Sequence, residues 1–356
     1  MDGRARVALV GYGLGGSLFH APFIAAEPRL ELGVIVTANP LRREQARARH
    51  PGAVVIAGFD GLLNRLREVD LVVISTPNAT HAALAREIVE RGRPVVVDKP
   101  VAATVTEALE LRRLAERTTL PIVPFHNRRW DGDFRTVVDL LSAGRIGDVH
   151  RFESRFERWR PLGSPRPEPD WKQDPAAGAG TGILQDLGTH LVDQAFVLFG
   201  TPQQVYAELA VCRRGARVVD DMFVALSYDT APRVHLWASA VAAHRGPRFR
   251  LLGSTGAYVK HGMDVQEEAL RAGKLPGSLG WGQEPSTSFG RIERGDESEV
   301  VPTRPGGYQE FYARMADCVL DGAPPPVDID DAVVVARIVD AAARSSLEGT
   351  VVTLER

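Results

Sequence analysis

Asp186 and His190 stand four residues apart in the stretch GILQDLGTHLVDQ, residues 182–194. On a helix that spacing puts both side chains on one face. A carboxylate there can orient an imidazole and raise its basicity, so the pair could take a proton from a hydroxyl. Gly188, between them, costs a helix interior about 1 kcal/mol relative to Ala, which is understandable where a ligand or another backbone comes close. A second candidate is Lys99, which follows the apolar run VVVD at 95–98 and precedes Pro100. At the carboxyl end of a parallel strand a lysine can hydrogen-bond a substrate oxygen and stabilise charge developing on it. The plainer readings are a surface lysine after a strand and a satisfied histidine; position favours the chemical ones.

The run GYGLGG at 11–16 has the G-x-G-x-x-G spacing and lies between a strand-like segment and a helix-like one. Gly11 suits a tight turn, Gly13 a backbone close to a pyrophosphate, and Gly16 a helix packed on the strand with its positive end toward the anion. A dinucleotide follows from that geometry. The next strand ends Val36-Thr37-Ala38-Asn39, without the Asp or Glu that would hold the ribose hydroxyls of NAD, and Arg42 and Arg43 open the following helix. A guanidinium there can pair with a 2′-phosphate, which favours NADP and leaves NAD open. Both arginines could instead decorate a solvated face.

No H-E-x-x-H, no C-x-x-C pair and no G-x-S-x-G occurs, so neither a zinc site nor a serine nucleophile is expected. The cluster His126-Asn127-Arg128-Arg129-Trp130, with Arg158, Trp159 and Trp171 further on, suits a polyhydroxylated ring, gripped by hydrogen bonds and by packing on C–H faces. The same residues serve equally as glue between domains.

The elements that must position these groups fall into two rhythms. Up to about residue 125, Val/Ile runs at 6–10, 32–36, 53–57, 70–74, 94–97 and 120–123 alternate with helical patterns, as in a parallel sheet covered on both faces. Asn39-Pro40 reads as a helix start and Thr104 with Glu107 as a capping box. Beyond that, strand-like stretches at 149–159, 204–211, 222–228 and 233–241 follow one another, helices are expected at 308–320 and 330–346, and TVVTL closes the chain. The fold class is therefore α/β: a doubly wound dinucleotide-binding domain over 1–125 and an α+β domain with a large, mostly antiparallel open sheet over 126–356. The helix 330–346 is a candidate to pack back on the first domain. Residues 160–182 are rich in Pro and Gly and too long for an ordinary connection, which suggests a lid.

A length of 356 residues suits two domains, and 44% hydrophobic with 25% charged residues excludes disordered and fibrous classes. A net charge of -2 supplies no field for nucleic acid or anionic lipid. No apolar run is long enough to span a membrane, Val7–Val10 is too short for a leader core, and two cysteines make no disulfide framework, so a cytoplasmic protein is expected.

The motifs GYGLGG, STPNATH at 75–81, VVDKP at 96–100 and DLGTHLVDQ at 186–194 together resemble the glucose-fructose oxidoreductase, inositol dehydrogenase and MocA family of NAD(P)-dependent oxidoreductases, over essentially the whole chain. GYGLGGSLFHAPFI at 11–24, FHNRRWDGDF at 125–134 and GYQEFYARM at 307–315 are most similar to the branch of NADP-dependent scyllo-inositol dehydrogenases. The resemblance implies a Rossmann first domain and Lys99, Asp186 and His190 as catalytic residues. It implies a cofactor held by Gly11, Gly13, Leu14, Gly16 and Thr37, by Arg42 and Arg43, and by Thr76, Pro77, Asn78, His81 and Lys99. Substrate contacts would come from Asn127, Arg128, Trp130, Arg158, Trp159 and Trp171 together with Asp186 and His190. Asp98 replaces the family's commoner Glu and keeps the carboxylate, whereas Ala38 stands where NADP-using relatives commonly place Arg. Homodimers or homotetramers through the open sheet face are implied as well.

These readings converge on transfer of a hydride between a nicotinamide and a ring carbinol of a sugar or cyclitol. The competing readings are a nonenzymatic NADP-binding sensor and a reductase of a different carbonyl, such as a tetrapyrrole or diketo compound.

Overall fold

The structure is a computed structural model and describes residues 3–161, 174, 180–230 and 232–355. The chain divides into two compact units: Met1–Trp130 with Gln266–Trp281 and Gly307–Val333, and Asp131–Val265 with Gly282–Gly306 and Val334–Arg356.

The first unit is built on a parallel sheet of β1 (Ala5–Val10), β2 (Leu30–Val36), β3 (Val54–Ile56), β4 (Leu71–Ile74), β5 (Val95–Asp98) and β6 (Ile122–Phe125), in the order β3-β2-β1-β4-β5-β6. The strand order reverses between β1 and β4, and that switch point creates the crevice at which such sheets bind ligands. Strands β4 to β6 are almost entirely buried, as their unbroken apolar runs require. The crossovers include α1 (Ala21–Ala26), α2 (Pro40–Arg49), α3 (Phe59–Leu63), α4 (His81–Glu90) and α5 (Val105–Thr118). Local chemistry sets their starts. Asn39 accepts the Arg42 N–H with Pro40 at the first helical position, and Thr104 and Glu107 form a reciprocal capping box.

The second unit contains α6 (Gly132–Ser142), β7 (Val149–Glu157), α7 (Thr189–Phe199), β8 (Gln204–Ala210), β9 (Asp221–Ser227), β10 (Arg233–Ser239), β11 (Phe249–Gly253) and β12 (Ala257–Lys260). After α8 (Gln266–Arg271), which belongs to the first unit, come β13 (Gly290–Arg294) and β14 (Glu297–Val301). Together with β15 (Val352–Thr353) these strands form a nine-stranded sheet in the order β14-β13-β12-β11-β7-β10-β9-β8-β15. All its pairings are antiparallel except β7 with β10. One face alternates into a core that takes in Val192 and Ala195 of α7 and Val335, Ile338 and Ala342 of α10 (Ile329–Glu348).

The uninterrupted 126–356 domain expected from the sequence is thus interleaved. The helix that returns to the first unit's core is α9 (Gln309–Asp321), through Phe311, Tyr312, Met315 and Ala316, whereas the apolar face of α10 packs in the second unit. Both helices carry apolar stripes of similar strength, so the pattern could not assign them. Most of residues 160–182, read as a lid, lie outside the described residues.

Candidate active site

In the first unit β1 delivers the chain into the glycine loop. Gly11 has φ +99°, and a methyl added there would stand 2.2 Å from the Ser75 carbonyl oxygen. One added at Gly16 would stand 2.0 Å from the carbonyl oxygen of Gly11, so the helix begins flush on the loop. Its first turns, Gly15–His20, are π-wound before α1 continues. Filling either position would close the cradle, and open backbone before a helix N-terminus fits a pyrophosphate. Leu14 is exposed and Thr37 buried.

The two arginines of α2 part company. A methyl on Gly13 would lie 3.4 Å from Arg42 Nη1, so this guanidinium stands over the loop. Arg43 instead donates to the carbonyl of Ala38 at 2.7 Å and reaches that of Thr37 at 3.5 Å, bracing the end of β2. Tyr12, inside the glycine run, is buried, and its hydroxyl meets Nε2 of His50 at 3.0 Å. That contact fastens the far end of α2 to the loop.

Beside the cradle, the ends of β4 and β5 bring Ser75, Thr76, Pro77 and Asn78 next to Asp98 and Lys99. Asp98 is a junction. Its Oδ1 accepts the backbone N–H of Lys99 at 2.9 Å, and its Oδ2 accepts the Ser75 hydroxyl at 3.0 Å. The Nε2 of His20 lies 3.5 Å from the same Oδ2. Burial alone would raise the carboxyl's pKa. The nearby His20 N–H, with the positive fields of His81 and Lys99, outweighs it and holds Asp98 below the ordinary carboxylate range. Asp98 is therefore ionised at neutral pH. His81, expected at the cofactor, is fully buried, with Nδ1 2.8 Å from the Pro100 carbonyl and Nε2 2.9 Å from that of Thr76. It staples the two strand ends from behind.

In the second unit, Leu184–Gly188 is a π-wound stretch leading into α7, so Asp186 and His190 sit on one continuous helical run. His190 is buried and Asp186 half-buried. The ring of Phe156, at the end of β7, is 6.5 Å from that of His190, and the Arg158 guanidinium lies over the same Phe156 ring at 4.7 Å. The strand end thus gathers Arg158 and His190 around one aromatic plate. Gly188 makes room for a side chain: a methyl there would stand 2.8 Å from Met222 Sδ. Trp159 is exposed beyond the strand, and Trp171 lies outside the described residues.

Three residues expected to grip substrate are interior supports of the first unit. Trp130 is 7% exposed and packs edge-on against Phe311 at 5.7 Å. Arg128 is buried and donates to Glu267 at 2.9 Å and to the Tyr308 hydroxyl at 3.3 Å, and Asn127 is buried beside it. The returning segments supply the acceptors, which no spacing around residue 128 announces. Quoted within motifs but given no role were His20 and Tyr312, whose ring nitrogen and hydroxyl meet at 2.6 Å. Their only signal was a polar residue inside an apolar helical stripe. Among the described residues no cluster of His, Cys, Asp and Glu is arranged to hold a metal ion, and no helix is long and apolar enough to cross a membrane.

Residues 5–126 match the NAD-binding Rossmann fold of the GFO_IDH_MocA oxidoreductase family, and residues 138–354 match that family's C-terminal alpha/beta domain. The chain belongs to the Gfo/Idh/MocA family. It is 32% identical over 354 residues to the scyllo-inositol 2-dehydrogenase (NADP(+)) IolW of Bacillus subtilis, covering 98% of this chain and 96% of that protein. It is 38% identical over 342 residues to the uncharacterized oxidoreductase YdgJ of Escherichia coli, covering 96% of each. The solved structure of the oxidoreductase yvaA of Bacillus subtilis superposes with a TM-score of 0.92 at 31% identity, over 100% of this chain and 99% of that one. As a Gfo/Idh/MocA protein the chain is an oxidoreductase with a nicotinamide-dinucleotide-binding domain of Rossmann type and a second domain built on a mixed, mostly antiparallel sheet.

Proposed function

We propose that this oxidoreductase is an NADP-preferring dehydrogenase of a ring carbinol in a cyclitol or sugar, with Lys99, Asp186 and His190 as its catalytic residues. The observation that carries the reading is the junction at Asp98, which fixes the backbone of Lys99 at the carboxyl end of β5 beside the glycine cradle. Bound nicotinamide would supply the hydride acceptor. Lys99 then polarises the carbinol oxygen, His190 takes the hydroxyl proton as the C–H bond yields its electron pair, and Asp186 holds the imidazole. In reduction the imidazolium returns the proton. Arg158, beside His190, is the substrate contact that the second unit supports best.

NADP preference rests on Arg42 over the loop, on the absence of a carboxylate after β2, and on the cofactor named for the Bacillus relative. That relative's name also supports the cyclitol class. Assembly through the outer face of the nine-stranded sheet, where Phe223, His235 and Trp237 cluster under Arg155, and a cytoplasmic setting for the free Cys212 and Cys318, belong to the same proposal.

The test is cofactor reduction across inositols, aldoses and ketoses with NADP+ and NAD+ in parallel. Turnover of a polyol with better kcat/KM for NADP+ is expected. Dinucleotide binding without turnover of any substrate would overturn the reading in favour of a sensor, and turnover confined to apolar carbonyl compounds with NADPH would replace it with a different reductase.

A further inference from the structure

The first unit buries a chain of polar side chains that the reaction as drawn does not use. His20 has no exposed surface, and its ring is tilted against Phe125 with centroids 4.1 Å apart. Its Nδ1 is 2.6 Å from the hydroxyl of Tyr312 on α9, and its Nε2 is 3.5 Å from Asp98 Oδ2. Burial first, and then the Asp98 charge, raise the Tyr312 phenol well above its ordinary value, so it stays a protonated donor. A phenol that donates to Nδ1 leaves the ring proton on Nε2, facing the carboxylate. Tyr312, His20 and Asp98 therefore stand in one line, with a hydrogen bond between the first two and an ion-pair-range contact between the last two, and the Ser75 hydroxyl meets the same carboxylate oxygen from β4. The other carboxylate oxygen is spent on the Lys99 backbone N–H.

We propose that His20, held in one tautomer by Tyr312, is a positioning residue for Lys99: it fixes the Asp98 carboxylate, which in turn fixes the backbone from which the lysine side chain departs. The inference rests on the reading of Lys99 as catalytic and deepens it. Replacing His20 leaves the carboxylate to Ser75 and the Lys99 N–H alone, so its Oδ2 side loosens and the lysine loses its aim by a fraction of its length. Displacements of about 1 Å at a reacting group cost roughly 10²-fold in rate. A second consequence is electrostatic. The charged and titratable groups facing Asp98 are His20 from the π-wound stretch, Lys99 next in the chain, His81 from α4 and, beyond His20, Tyr312 from α9. With His20 gone, burial is opposed by fewer donors, so protonation of Asp98 moves upward in pH.

The experiment compares His20→Phe, Tyr312→Phe, Asp98→Asn and Lys99→Met in the full-length protein, each checked for an unchanged circular dichroism spectrum and titrated with NADP+. His20→Phe is expected to lower kcat about 10- to 100-fold with the dinucleotide Kd changed less than about three-fold. Tyr312→Phe, which keeps the shape and removes only the donor, should give the same change in smaller measure even if His20→Phe folds poorly. The His20→Phe/Asp98→Asn double variant should be no worse than Asp98→Asn alone, because one acts through the other. Unchanged kcat in both His20→Phe and Tyr312→Phe, or losses that add in the double variant, would overturn the inference. A Lys99→Met enzyme with near wild-type kcat would instead overturn the catalytic reading of Lys99 itself, so the two failures are told apart.

Discussion

The surroundings of Asp98 and those of His190 are built in opposite ways. Asp98 is held by Ser75, 23 residues away in the chain, and by His20, which is tied to Tyr312 across a further 292 positions. Asp186 and His190 lie on one helical run, and the ring of Phe156 at the end of β7 stands 6.5 Å from that of His190. A distributed junction ties site geometry to the packing of the whole unit, whereas a local pair keeps its spacing as long as its helix survives. Damage to the first should therefore appear in stability and pH response together, and damage to the second in turnover alone.

The sharpest break of that contrast is at the local pair. His190→Ala should lower kcat by roughly 10² to 10⁴ with little change in melting temperature. Asp186→Asn should cost less, and the double variant should fall well short of the product of the two losses. Steady-state kinetics beside thermal melts decide it; melting that drops with the activity would place His190 among the structural supports.

Next come the paired arginines of α2, neighbours in sequence with different duties. Arg42→Ala should weaken NADP+ by about 1.5 to 3 kcal/mol while leaving NAD+ nearly untouched, as expected for a lost charge-assisted contact to a phosphate. Arg43→Ala should weaken both dinucleotides alike and by less, because its Nη1 is spent on the end of β2. Equal and NADP-selective losses in both would show that Arg43 leaves its carbonyls when the cofactor binds.

The distributed junction has its own signature in acid. Asp98 is held below the ordinary carboxyl value by His20 and its charged neighbours, against its own burial. The stability it contributes is thus complete above the unfolded value of about 4 and is lost as pH falls through and below it. Asp98→Asn should be less stable than the parent at pH 6 and should show a flatter decline in stability between about pH 4 and pH 2. Parallel curves for parent and variant would mean the carboxylate is not coupled to folding.

The smallest effect marks the local extreme. Thr104→Ala removes the capping box of α5 and should cost about 1 kcal/mol by denaturant titration, with kcat unchanged.

Legibility follows the same division. Asn39, Thr104, the glycine run and the strands β1 to β6 were readable because each depends on residues within one turn or one strand. Trp130 and Arg128 were read equally as substrate contacts and as glue between domains, and the residues they meet, Phe311, Glu267 and Tyr308, lie far along the chain, where no local spacing announces them. Single-chain periodicity says that a helix has an apolar face and says nothing of which core receives it, which is why α9 and α10 exchanged places. The Gly188 gap was legible as a close approach, but its occupant, Met222, comes from β9, and the pattern could not name it.

The return of α9 to the first unit also bears on how the protein is made. The nucleotide-binding sheet is translated within the first 125 residues, yet Phe125 and His20 wait for Phe311 and Tyr312 to cover them. During synthesis at about 5–20 residues per second, that apolar surface stays uncovered for roughly ten seconds or more. The junction around Asp98 accordingly gains its full support only when the ribosome has nearly finished, so a prematurely released chain would hold a complete glycine loop beside an unfinished end of β5.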